Sequence, residues 1–107
     1  MHKKIIFRFM DHSDAIEKYI HKKLEKLDKF FKRDVQPVFI EMTLQGHREK
    51  HCCNVAFKIN SIEYHNCIHM QGQDIYAMID EALIKMIKDM ARKKEKWSFG
   101  YHIGYSL

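Results

Sequence analysis

The sequence predicts an α+β domain, a two-layer sandwich in which a four-stranded sheet carries both helices on one face. Two stretches repeat apolar residues with the helical period, and four shorter stretches alternate apolar and polar residues as strands do. Their order along the chain is β-α-β-β-β-α. Because each helix and the sheet has one apolar face to bury, we expect both helices to cover the same side of the sheet.

The four predicted strands alternate apolar and polar side chains. The first two lie at residues 3–9 and 38–45, the third follows a turn or longer loop at residues 46–48 and ends at about Ile59, and the fourth lies at residues 62–70. The first two strands are joined by a helix, so they are expected to be parallel if they are neighbours. Asn60 and Ser61 form the predicted two-residue turn of a hairpin, which pairs Phe57 with Tyr64. This pairing gives the hairpin one apolar and one polar face, which suits a sheet covered on one side only.

Both predicted helices begin at a residue that can cap them, Ser13 for the first and Asp74 for the second. The first helix runs from Asp14 to about Phe31, and the second carries basic residues as far as Lys96. The apolar stripe of the first helix consists of Ile16, Ile20, Leu24, Leu27 and Phe31. The apolar stripe of the second consists of Ile75, Ile79, Ala82, Leu83, Met86 and Met90.

A chain of 107 residues with one proline and four glycines suits one compact domain, which we assign to residues 1–96. Residues 97–107 form an uncharged aromatic tail that matches no part of that pattern. The N-terminal apolar run is broken by Arg8 and Asp11, so it does not resemble a signal peptide. No segment has the length of a membrane span, and three cysteines make no even disulfide framework. These features indicate a cytoplasmic protein.

Positive charge is concentrated in two separate segments. Residues 14–33 contain seven basic and four acidic residues, and residues 81–96 contain six basic and three acidic residues. Residues 34–80 are acidic in balance, although the whole chain carries a net charge of +5. This asymmetry favours a polyanionic partner, and the alternative is a charged helix surface that only keeps the protein in solution.

Two motifs resemble those of the ribosome hibernation-promoting factors and the related ribosome-associated inhibitor, protein Y. Residues 72–80, Gly-Gln-Asp-Ile-Tyr-Ala-Met-Ile-Asp, are similar to the family signature Asp-Met-Tyr-Ala-Ala-Ile-Asp at the start of the second helix. Residues 13–16, Ser-Asp-Ala-Ile, lead to Lys-Leu-Glu-Lys-Leu at 23–27, which resembles the family's capped first helix. The resemblance covers residues 1 to about 96, and the family fold has the same order of elements.

The resemblance implies that the protein binds the small ribosomal subunit in the channel between head and body. There it would overlap the messenger path and the transfer-RNA sites, contact rRNA and inhibit translation by idle ribosomes. The alternative is a general binder of structured RNA that is not specific to the ribosome. Such a protein would bind naked duplexes as well as ribosomes, with a steep dependence on salt.

Basic residues that gather on one flank of each helix, or that match basic positions of the family, are the predicted RNA contacts. They are Arg8, Lys22, Lys23, Lys26, Arg33, Lys85, Lys88, Arg92, Lys94 and Lys96. Tyr19 and Phe30 border the first flank, where they would either pack in the core or stack on a base. Phe7 departs from the family pattern, in which many members have glycine, and this puts backbone approach to RNA at that point in question.

We predict neither an enzyme nor a cofactor or metal protein. The proposed hairpin pairs Cys52 with His69 and places His65 and Cys67 on the same outer face, but no Cys-x-x-Cys pair supports zinc binding. The chain has no nucleophile motif and no phosphate-binding glycine loop. Asp80 is explained as a helix-surface acid, or as a residue that orients a neighbouring lysine or tyrosine.

The long form of the family carries a separate C-terminal dimerisation domain, for which this chain is too short. We therefore expect no dedicated dimerisation domain, no membrane partner and no small-molecule substrate. The sequence leaves open whether the protein assists paired ribosomes or keeps single ones idle.

Overall fold

A computed structural model describes residues 2–28, 37–47, 52–62 and 64–105, with side chains up to residue 93. Its elements, in chain order, are β1 (His2–Arg8), α1 (Asp14–Leu24), a 3₁₀ turn (Glu25–Leu27), β2 (Phe39–Gly46), β3 (Cys53–Asn60), β4 (His65–Gly72) and α2 (Ile75–Tyr105). This order confirms the predicted β-α-β-β-β-α fold. None of the described helices combines the length and apolar composition that a membrane crossing requires.

The four strands form one sheet in the order β1-β2-β3-β4. β1 and β2 are parallel, as expected for strands joined by a helical crossover, and the other neighbours are antiparallel. β1 and β4, the two outer strands, therefore point in the same direction and finish at the same end of the sheet. Because α1 follows β1 and α2 follows β4, the two helices start at that end and run parallel to each other.

The two predicted caps are present. The Ser13 hydroxyl accepts a hydrogen bond from the Ile16 backbone N–H at 3.2 Å. The Asp74 carboxylate accepts hydrogen bonds from the N–H groups of Tyr76 and Ala77 at 3.1 and 3.2 Å. Each cap satisfies donors that the first helical turn leaves unpaired, which fixes where the helix begins.

The ends of the helices differ from the prediction. α1 stops at Leu24 and tightens into the 3₁₀ turn, whose Leu27 is still fully buried. The predicted continuation to Phe31 lies outside the described residues. α2 passes Lys96 and continues to Tyr105.

The predicted hairpin register is wrong by four residues, although the faces are right. Phe57 pairs with Ile68 rather than Tyr64. The loop is longer than two residues because the Ser61 N–H donates to the Tyr64 carbonyl at 2.8 Å and the Tyr64 N–H donates to the Ser61 hydroxyl at 3.0 Å. A shift by an even number of residues keeps each side chain on its side of the sheet.

The core lies between the sheet and the two helices. Its fully buried large side chains are Phe57, Ile20, Leu24, Leu27, Ile40, Met42, Leu44, Ile59, Ile79, Met86 and Met90. Both predicted apolar stripes contribute, together with the inner positions of β2 and β3. The opposite face of the sheet carries no helix among the described elements.

Replacing Phe57 by alanine should lower the free energy of unfolding by about 3–5 kcal/mol, because it opens a cavity at the centre of the sheet. Urea denaturation followed by circular dichroism measures the loss. The matched control is Ile84→Ala on the exposed side of α2, which should change the unfolding free energy by less than about 0.5 kcal/mol. Equal losses for the two variants would contradict this placement of the core.

Candidate nucleic-acid interface

A polar contact between α1 and α2 is centred on one carboxylate oxygen. The Tyr19 hydroxyl donates a hydrogen bond to Oδ1 of Asp80 at 2.6 Å. The Lys23 ammonium lies 3.5 Å from the same oxygen. Asp80 thus orients a tyrosine and a lysine of the neighbouring helix, which confirms one of its two expected roles.

Aromatic rings extend this contact between the helices. The group formed by Tyr19, Lys23, Tyr76 and Asp80 is called the seam below. The rings of Tyr19 and Tyr76 meet edge to face with centroids 4.9 Å apart. The Lys23 ammonium lies 5.3 Å from the centroid of the Tyr19 ring, within the range of a cation–π contact. Tyr19 packs against the core, whereas Tyr76 remains 40% exposed. The exposed ring of the seam is therefore that of Tyr76, which the residue patterns did not single out.

An open cleft of about 570 Å³ lies beside the seam on α1. Its lining residues are Tyr19, Lys22, Lys23, Glu25 and Lys26. Three of these five residues are lysines, and only Lys23 forms an ion pair with another described residue. The cleft therefore presents positive charge beside aromatic surface, a combination that suits a nucleic acid.

The environment of Tyr19 fixes its protonation state. The hydrogen bond to Asp80, followed by burial and the nearby negative charge of Asp80, raises the pKa of Tyr19 to about 12. The phenol stays protonated at physiological pH and acts as a donor. Its role here is to hold the two helices together and to fix the direction of Lys23.

The basic residues of α2 spread over the outer surface of the helix. A helical wheel that takes Asp80 as the direction of α1 places Lys88 about 80° round, Arg92 about 120° and Lys85 about 140°. All three side chains are exposed, and none forms an ion pair with a described residue. Ile84, which is 54% exposed, lies between Asp80 and Lys88. The positive surface of the helix layer therefore runs from the cleft of α1 to the far flank of α2.

The remaining predicted contacts do not join this surface among the described residues. Arg8 is exposed on β1, where the alternation puts it on the side of the sheet away from the helices. Arg33 lies outside the described residues, as does Phe30. Lys94 and Lys96 lie on α2, but their side chains are outside the described part of the chain.

Within the described part of the chain, the cysteines and histidines of the outer sheet face form one contacting pair and no group of three possible metal ligands. Cys67 Sγ lies 3.2 Å from His69 Nε2, whereas Cys52 Sγ accepts a hydrogen bond from the Gln71 amide at 3.6 Å. The predicted pairing of Cys52 with His69 is wrong because the longer hairpin loop places Ala56 opposite His69.

A different cluster, which the sequence patterns missed, lies at the start of α1. His12 Nε2 is 2.6 Å from a carboxylate oxygen of Glu17, and His12 Nδ1 is 3.4 Å from one of Asp14. These three side chains have the ligand types for a metal ion. Each ring nitrogen already faces a carboxylate, however, so hydrogen bonding across an exposed helix terminus accounts for the arrangement.

Comparison with known proteins identifies the family. Residues 4–98 match the model of the family described as sigma 54 modulation protein / S30EA ribosomal protein. The chain belongs to this family. That description is of a ribosome-associated protein and not of an enzyme. The predicted resemblance to hibernation factors and protein Y is confirmed by the relatives.

Curated relatives carry names that agree with the resemblance. The ribosome hibernation promoting factor of Salmonella typhimurium is 27% identical over 84 residues, covering 78% of this chain and 83% of that protein. The protein of the same name from Escherichia coli is 26% identical over the same shares of both chains. About a fifth of this chain lies outside each of these alignments.

Solved structures show the same fold. The N-terminal domain of protein Y from Thermus thermophilus superposes with a TM-score of 0.72 at 24% identity, covering 86% of this chain and 98% of that one. A ribosomal subunit interface protein from Coxiella burnetii gives 0.70 at 17% identity, with coverages of 89% and 99%. Nearly the whole of each solved structure superposes on this chain, so the three share one fold.

Replacing Asp80 by asparagine should lower the pKa of Tyr19 from about 12 toward its ordinary value of 10, because the charged acceptor is lost. A pH titration of the Tyr19 ring carbon by NMR measures the shift. Since the folded-state pKa exceeds the unfolded one, the contribution of this bond to stability is present below pH 10 and is lost as the pH rises through 12.

The matched control is Asp89→Asn, which removes a carboxylate that accepts a hydrogen bond from Asn66 near the middle of α2. The Tyr19 titration should be unchanged in this variant. A pKa of Tyr19 that stays near 12 without the Asp80 carboxylate would refute the assignment of its cause.

Proposed function

We propose that this protein is a ribosome hibernation factor. It binds the small ribosomal subunit at the messenger and transfer-RNA channel through rRNA contacts, and it inhibits translation by idle ribosomes. Its family, the names of its curated relatives and the protein Y fold support this proposal. The function requires no catalysis and no cofactor, and it places the protein in the cytoplasm with the ribosome.

The observation that carries the proposal is the exposed basic surface of the helix layer. Lys22 and Lys26 line the cleft on α1, and Lys85, Lys88 and Arg92 extend the surface across α2. Unpaired cations on a rigid helix layer can each neutralise a phosphate and release counterions. Long basic side chains suit folded rRNA, in which the deep groove hides the base edges and the backbone is the accessible feature.

The mechanism that follows is occlusion. A rigid domain held by several phosphates occupies the space that messenger and transfer RNA need, so initiation cannot begin while the protein is bound. Because the affinity comes from many salt-sensitive contacts, a rise in competing polyanion displaces the protein without any chemical step. The seam at Asp80 contributes by fixing the two helices relative to each other, so that their cations meet the RNA as one surface.

Co-sedimentation with purified ribosomal subunits at physiological salt tests the proposal. The wild-type protein should saturate the small subunit at about one copy per particle, and Lys85→Glu/Arg92→Glu should abolish that binding. The salt dependence of any residual binding should be shallower by nearly two units of slope, about 0.9 for each lost phosphate contact.

The control is Lys85→Arg/Arg92→Lys, which preserves both charges and should keep most of the affinity. Binding of the wild type that is absent, or no tighter than binding to bulk duplex RNA, would overturn the ribosome assignment and favour the general RNA binder.

The exposed Tyr76 ring is placed to stack on an unpaired base of the RNA. Tyr76→Ala should weaken binding to the small subunit about fivefold or more, as expected from the loss of one aromatic stack. Tyr76→Phe keeps the ring and should bind like the wild type. If phenylalanine fails as badly as alanine in the same sedimentation assay, the hydroxyl and not the ring face makes the contact.

A further inference from the structure

The face of the sheet opposite the helices has its own cluster of charge, beginning on β1. Ile5 and Phe7 pack against the core, and the ammonium of Lys3 lies 3.4 Å from Asp28, just beyond the 3₁₀ turn. These three residues point toward the helices. By alternation Lys4 and Arg8 point away from them, and both are exposed.

A cross-strand row adds a third cation. The register places Lys4 beside Glu41 on β2, and Glu41 beside Lys58 on β3. The Glu41 carboxylate accepts a hydrogen bond from Thr43 at 3.3 Å and forms no ion pair with either lysine. This row and Arg8, which lies farther along β1, together hold three cations and one anion. Among the described residues, this surface therefore has an uncompensated positive charge, on the opposite side of the molecule from the basic helices.

Exposed aromatic rings lie at both ends of β1. Phe39, which is 49% exposed, stacks on the His2 ring with centroids 5.1 Å apart and an angle of 18° between the planes. Phe9, just after the strand, is 76% exposed. Solvent-exposed aromatic rings beside a row of cations are the features on which proteins stack successive bases of a single-stranded nucleic acid.

The position of Phe9 is held at an energetic cost. Its φ of 55° lies in the left-handed region, which a bulky L-residue rarely adopts. Gly46 accommodates this turn, since a Cβ atom there would lie 2.8 Å from the Phe9 carbonyl oxygen. Strain of this kind persists where the surrounding structure enforces it, and it is concentrated at functional sites.

We propose that the outer face of the sheet along β1 binds a single-stranded segment of rRNA. Lys4, Arg8 and Lys58 contact its phosphates, while Phe39 and Phe9 stack on its bases. Lys4 and Arg8 are separated by about 13 Å along the strand, which gives the site room for several nucleotides. A duplex does not fit this chemistry because its bases are already stacked on each other.

This site deepens the proposed function and rests on it for the source of the RNA. The helix layer would hold one RNA element while the outer face holds another, so that the domain acts as a clamp between them. Arg8 then has a role that does not require it to approach the helix lysines.

Fluorescence anisotropy with a labelled 12-nucleotide oligouridine tests the site directly on the full chain. Lys4→Glu/Arg8→Glu should weaken oligouridine binding at least tenfold and reduce the salt slope by about 1.4, or 0.7 for each phosphate contact of a single strand. Phe9→Ala/Phe39→Ala should weaken it about fivefold or more and leave the salt slope unchanged. Phe9→Leu/Phe39→Leu, which keeps apolar bulk, provides the same test if the alanine variant is not folded by circular dichroism.

The matched control is Lys22→Glu/Lys26→Glu, which makes the same change in net charge on the helix layer. It should lose binding to the small subunit and weaken oligouridine binding clearly less than Lys4→Glu/Arg8→Glu does. Equal loss of oligouridine binding in both charge variants, no effect of the aromatic variants, or no binding by the wild type would each overturn the site. None of these outcomes changes the result expected from the sedimentation assay of the helix layer. The outer-face site can therefore be disproved while the proposed ribosome binding stands, and the reverse.

Discussion

The structure depends on the constraint that a four-stranded sheet with one apolar face must be covered on that face alone. Phe57 and Ile40 are fully buried from the sheet side, and Ile20 and Met86 meet them from the helices. Both helices are therefore confined to one layer, where they lie next to each other. Both proposed surfaces follow from this arrangement, since the cations of α1 and α2 face outward together and no described helix covers the other side of the sheet.

Side-by-side helices of like charge need a contact that holds them, and the single carboxylate of Asp80 provides it. It receives the Tyr19 hydroxyl and lies next to the Lys23 ammonium. Among the described residues, Lys23 is the one lysine near the seam that is neutralised in this way. Lys22 and Lys26 form no ion pair with a described residue, so the seam gains rigidity without losing its attraction for a polyanion.

The sequence was sufficient for features that depend on near neighbours. Ser13 and Asp74 identify the helix starts because a cap needs only the following three residues, and alternation identifies the faces of the strands. The hairpin register could not be predicted, since alternation is unchanged by a shift of four residues and the Ser61 loop closes through its side chain. The bond from Tyr19 to Asp80 spans 61 positions, and no local pattern encodes it. Alternation also places Arg8 on the face of β1 opposite that of Phe7, and this separates it from the helix lysines.

The parallel course of α1 and α2 has a consequence for how the molecule approaches a target. Both helix N-termini lie at one end of the sheet, and Asp14, Glu17 and Asp74 are placed there. Basic residues occupy the last turn of α1, and those of α2 begin only at Lys85. Among the described side chains of the helix layer, acidic groups therefore collect near the helix starts and basic groups beyond them, which gives this layer an electric dipole along the helix axes. In the field of a polyanion such a layer turns before contact, so that more collisions begin with its basic part leading.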